Sequence, residues 1–177
     1  MSEETFAAVI GAAVGVGLGV ALTPAVEWVK RKVLVHALRK ILREHFLAAV
    51  GVIAQKRETA RAIADGFNHG GTPEGFNVPF PIEAIQRVDL ALAEDLSVRE
   101  RHLVANVLAL FAIVDEGLVA GLSTTGNDLL NVRQTAMTKV GLSLRALDAA
   151  EDLVTRFLRG EIVDVTLVDQ TAQRFPV

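Results

Sequence analysis

The chain has 177 residues, of which 51% are hydrophobic, with a mean hydropathy of +0.38 and a formal net charge of -3. That length holds one domain plus a short extra element, and the hydrophobic share sits above the roughly 45–50% of soluble domains. With no cysteine, a disulfide framework, a thiolate metal site and a cysteine nucleophile are all excluded, and the slight acidity gives no global argument for nucleic-acid binding.

The first element is apolar. Thr5 to Val26 is a run of twenty-two residues without a charge. As a helix it reaches about 33 Å, close to the ~30 Å hydrocarbon core of a bilayer. Glu3 and Glu4 precede it, and Lys30, Arg31, Lys32, Arg39, Lys40 and Arg43 follow. This asymmetry predicts a single transmembrane helix with the N-terminus outside and everything after it cytoplasmic. Trp28, the only tryptophan, falls at headgroup level, where an amphipathic ring is favoured. A cleavable signal peptide fits less well, because Ser2-Glu3-Glu4 stands where a basic n-region belongs. A glycine-rich helix buried in a soluble oligomer is the other alternative, since glycine weakens insertion.

Ala7, Gly11, Gly15 and Gly19 recur every four residues. This glycine zipper forms a groove where two helix backbones can approach, which predicts self-association in the bilayer. Gly15, Gly17 and Gly19 do not form a dinucleotide fingerprint: the G-x-G-x-x-G spacing fails and a basic stretch follows instead of an acidic residue.

Thr23-Pro24 reads as a helix start, with a kink or a restart at the proline. A long amphipathic helix is then expected to about Gly66. Its apolar face is Val29, Val33, Leu34, Leu38, Ile41, Leu42, His45, Ala49, Val52, Ile53 and Ile63, with Lys32, Arg39, Lys40, Arg43, Lys56 and Arg57 opposite. Phe67 to Pro81 holds three glycines and three prolines and breaks the helix. A short helix follows from Pro81 to about Asp95. Ser97-x-x-Glu100 is a capping box that opens a helix ending near Leu122. The middle of that helix, Leu103–Val114, is apolar on nearly every face, yet Asp115 and Glu116 stop it after twelve residues, short of a second span.

After the turn 123–127, Asn127 or Asp128 is expected to cap a last helix ending at Arg159, with Gly160 just beyond. Its expected stripe is Leu129, Val132, Ala136, Val140, Leu144, Leu147, Val154 and Leu158. The β-branched alternation of 161–169 predicts one short C-terminal strand, pairing with 76–80 or with the same strand of another subunit. The fold expected is mainly α: an anchor over 1–24, a cytoplasmic helical hairpin or bundle over 25–160, and a strand and tail over 161–177.

Chemistry is sparse. From Glu27 to Arg61 nine Lys/Arg stand against three Asp/Glu, a local net of +6, whereas Asp65 to Val177 carries -7. Trp28, Lys30, Arg31, Lys32, Arg39, Lys40 and Arg43 therefore form the expected interface with anionic lipid, each cation contributing about 1 kcal/mol near the surface. The loop Asn68-His69-Gly70-Gly71 lacks the phosphate-loop order, and the four histidines show no metal-ligand spacing. No catalytic residue, metal or cofactor is assigned. The expected partners are membrane lipid, further copies of the chain and a protein docking on the bundle, with no nucleic acid. The function expected is a membrane-anchored scaffold or signalling protein. The alternatives are a membrane-perturbing or pore-forming oligomer, against which the lack of polar lining residues argues, and a hydrolase using Asp115, Glu116 and His102.

Overall fold

The computed structural model describes residues 3–69, 75–125 and 128–161, with side chains described from Thr23 onward in the first helix. Four helices follow in order: α1 (Glu3–Asn68), α2 (Ile82–Ala91), α3 (Val98–Leu122) and α4 (Leu130–Arg159). The protein is mainly helical and bundle-like, and no strand occurs among the described residues. The strand expected at 161–169 lies, past Glu161, outside them. Contacts divide the chain into two units, 1–40 and 41–177.

In the first unit α1 runs through Pro24 without a break, so the expected restart at Thr23-Pro24 does not occur. Proline lacks one N–H and costs the helix one i→i−4 bond, and the ladder on either side carries the helix past it. Val29, Val33 and Leu34 do not form a core face: all three are exposed, Val33 to 65%.

In the second unit α1 buries Leu42, Phe46, Ala49, Ile53, Ala60, Ile63 and Phe67. Their alternating steps of four and three are the spacing of a knobs-into-holes seam. Each large apolar side chain fully buried there contributes about 1.5–3 kcal/mol. The series has one gap, and Lys56 fills it, almost fully buried. The expected placement of Lys56 on the solvent face is therefore wrong. Counting the stripe from Val29 puts it out of phase with the seam that starts at Leu42.

α2 is shorter than expected. It ends at Ala91, and Leu92–Asp95 form turns closed by Asp95 N–H to the Leu92 carbonyl at 2.8 Å. Ile85, Val88 and Leu92 supply its buried side. α3 starts as its sequence dictates. Ser97 Oγ accepts from Glu100 N–H at 3.2 Å, and Ser97 N–H donates back to Glu100 Oε2 at 2.8 Å, which satisfies two of the free amides of the first turn.

Among the described residues α3 alone is long and apolar enough to cross a membrane, with a mean hydropathy of 2.0. Asp115 and Glu116 do not disqualify it on length and composition, contrary to the expectation. Core helices share that composition, and Leu103, Val107, Phe111, Val114 and Leu118 are buried in the second unit.

α3 and α4 pack closely. A Cβ on Gly117 would stand 2.0 Å from Ser143 Oγ and 2.7 Å from the Lys139 carbonyl oxygen, so only glycine admits this approach. Ser143, fully buried, donates to the Lys139 carbonyl at 3.0 Å. On α4, Ala136, Val140, Leu147 and Val154 are buried as expected, while Leu129 and Val132 are exposed. Asp128 does not cap α4. Its carboxylate accepts from Thr125 N–H at 2.6 Å and so closes the preceding turn, leaving Leu129 at the cap position with no side-chain bond. Gly160 ends α4 in the left-handed region at φ 73°, the conformation glycine adopts without strain.

α1 and α4 are tied reciprocally. Arg43 donates to the Leu158 carbonyl in the last turn of α4 at 2.6 Å, and Arg133 donates to the Phe67 carbonyl at the end of α1 at 3.5 Å. Each guanidinium satisfies a carbonyl that a helix end leaves open. Between them, Phe46 meets Phe157 edge-on at 4.8 Å. Arg57 bridges to Asp148 at 2.9 Å and to Glu151 at 2.5 Å.

Candidate functional site

A lysine on an apolar seam cannot be buried charged without partners, and Lys56 has three. Its Nζ donates to Asn77 Oδ1 and to Asp115 Oδ1 and lies 4.7 Å from the centre of the Phe80 ring. Asp115, on α3, also accepts from the backbone N–H of Phe80 through Oδ2 at 3.5 Å. Phe80 stacks on Phe111 of α3, with centroids 3.8 Å apart and planes at 8°. One turn along α1, Thr59 Oγ1 donates to the Phe76 carbonyl at 3.2 Å.

These contacts fasten the extended segment 75–81 to α1 and α3. Pro79 and Pro81 keep it from continuing a helix, and polar groups anchor it. Burial pulls the Lys56 ammonium below the ordinary lysine range, against the opposing pull of the Asp115 carboxylate. The chemistry this arrangement supports is clamping. Phe80 closes the site over the ammonium, and the hydrogen-bonding capacity of Nζ is directed at protein groups.

The predicted hydrolase trio is not assembled. Asp115 faces Lys56, while Glu116 pairs with Lys139 of α4 at 2.8 Å on the surface. His102 lies fourteen residues back along α3, about 21 Å away at 1.5 Å per residue. Nor do the two acids meet Arg99 or Arg145. Among the described residues no group of three His, Asp or Glu could hold a metal ion.

The expected lipid-facing residues fall into two sets. Trp28, Lys30, Arg31, Lys32, Arg39 and Lys40 are exposed in the first unit, with Lys32 Nζ 3.9 Å from the centre of the Trp28 ring. Arg43 belongs to the second unit and serves the end of α4. Ala7, Gly11, Gly15 and Gly19 lie within α1, and their side-chain environment is outside the described residues.

The sequence reading missed Lys56, Asn77 and Arg133. For Lys56 a signal existed: the seam Leu42–Phe67 keeps its register only if position 56 is counted as a core position. Asn77 and Arg133 carry no such signal, because their partners lie far along the chain. Compared with protein-family models, curated proteins and solved structures, the chain matches none of them significantly.

Proposed function

We propose that the protein is a membrane-anchored helical scaffold. In this reading the segment Thr5–Val26 spans the bilayer, the stretch 27–40 meets anionic headgroups, and the second unit is a cytoplasmic docking bundle. The observation that carries it is the pairing of a twenty-two-residue uncharged run with an exposed helical stretch that bears Trp28 and a cluster of cations. A tryptophan and lysines that nothing in their own unit covers are what an interfacial anchor requires. The spacing of Ala7, Gly11, Gly15 and Gly19 supports association of several copies in the bilayer.

The hydropathy of α3 favours a second reading, in which α3 is the span. That reading requires exposing Leu103, Phe111 and Leu118 to lipid and stripping Asp115 from Lys56, at a cost of several kcal/mol for the unpaired buried charge. Alkaline extraction of membranes separates the two. Val14→Asp should release the chain into the soluble fraction, whereas Ala109→Lys should leave it in the pellet. The reverse pattern assigns the span to α3, and release of the unaltered chain rejects both. Protease added outside intact cells should spare the bundle, and degradation of it there would overturn the orientation.

A further inference from the structure

α3 carries a second seam, on the side away from the core. Ala105, Ala109 and Ala112 form its centre, with Val98 and Val119 at its ends, 57% and 56% exposed. His102 and Glu116 complete the series, so that the steps alternate four and three from 98 to 119, and all seven residues are exposed. This is the spacing of a helix that packs against another helix, and three alanines in its centre permit axes about 8 Å apart. No charge interrupts α3 between His102 and Asp115.

We infer that this face of α3 pairs with the same face of a second copy, antiparallel, about a twofold axis at Ala109. The seam is its own complement in that direction. Reversed about Ala109 it sets Val98 near the partner's Val119, Ala105 near the partner's Ala112, and His102 with its neighbour Arg101 against the partner's Glu116. A parallel pairing would stack Glu116 on the partner's Glu116 and Arg101 on the partner's Arg101, and like charges in register oppose association. A twofold, self-complementary contact is the commonest way for identical chains to associate. Lipid is the poorer occupant, since Glu116 lies in the line of the seam. The inference stands apart from the membrane reading: it uses a face of the second unit and no residue of the anchor.

Because the chain has no cysteine, disulfide trapping reads the register directly. In the full-length chain in native membranes, Ala109→Cys should form a dimer on mild oxidation. Mixed Ala105→Cys and Ala112→Cys chains should cross-link to each other more than either does to itself. Glu116→Lys should lower the yield at 109 several-fold, and the charge swap H102E/E116K should restore it. The 109 disulfide should persist in a Gly15→Ile background, so failure of the glycine-stripe proposal leaves this one standing. Absence of the 109 dimer, or self-linking of Ala105→Cys above the mixed product, overturns it. So does a dimer that appears only after removal of 162–177, which would make that segment the occupant.

Discussion

α1 holds two lysines on aromatic rings, and the two differ in everything but that contact. Lys32 sits 3.9 Å from Trp28 in the first unit, exposed to solvent. Lys56 sits 4.7 Å from Phe80 in the second, buried and held by Asn77 and Asp115. The same pairing of ammonium and ring contributes about 0.5–1 kcal/mol at an exposed site and more when desolvated. In water the lysine remains available to a partner such as a phosphate headgroup. In the seam it is bound to one place, and its partners decide whether the fold tolerates it.

The largest effects should come from the buried side of that comparison. Phe111→Ala removes the ring beneath Phe80 and leaves a cavity in the core, and should destabilise the chain by about 3–5 kcal/mol in urea unfolding. Gly117→Val should cost several kcal/mol by driving α3 from Ser143, seen as a lowered midpoint. Lys56→Met leaves Asp115 and Asn77 without their donor. Asp115 keeps some access to water, at 23% exposure, so a loss of about 2–3 kcal/mol is expected, below the 3–5 for breaking a fully buried pair. K56M/D115L should recover most of that loss, and a double variant as unstable as K56M would show that the ion pair itself stabilises the seam.

A smaller effect concerns Asp89 on α2, whose Oδ1 is buried with no hydrogen-bond partner. Burial raises its carboxyl above the ordinary aspartate value, and Arg101 opposes the shift. A raised value means that the folded state holds the proton more tightly. Stability is then fullest below the unfolded value and falls as pH rises through the folded one. Asp89→Asn should abolish that fall and gain on the order of 1 kcal/mol at neutral pH, measured as the difference between denaturation curves at pH 3 and pH 7. On the exposed side, Trp28→Ala should shift stability by less than about 0.5 kcal/mol while reducing retention on anionic vesicles. A stability loss equal to that of Lys56→Met would erase the contrast between the two sites.

What was legible in the sequence was punctuation. The Ser97–Glu100 box, the glycine at 160 and the proline-rich break before α2 each act within a few residues, so letters alone define them. What was not legible depends on residues far apart. Arg43 reads as one more cation after an apolar run, yet it bonds to Leu158, 115 positions away. Lys56 reads as solvent-facing because lysine is seldom fully buried, and only the register of its neighbours contradicts that. Asp128 reads as a cap because Asp favours caps, but a nearer N–H at Thr125 takes its carboxylate.

The clamp also has a consequence for how the chain reaches its native state. Asn77 lies 21 residues from Lys56, and Asp115 lies 59 residues from it. Until both arrive, the ammonium stands among apolar neighbours with nothing to bond but water, so the seam cannot close early around position 56. Loops of that length must form before the contact rewards them, which places this part of α1 after the folding transition state. K56M/D115L, free of that delay, should refold faster than the natural chain and unfold at a nearly unchanged rate.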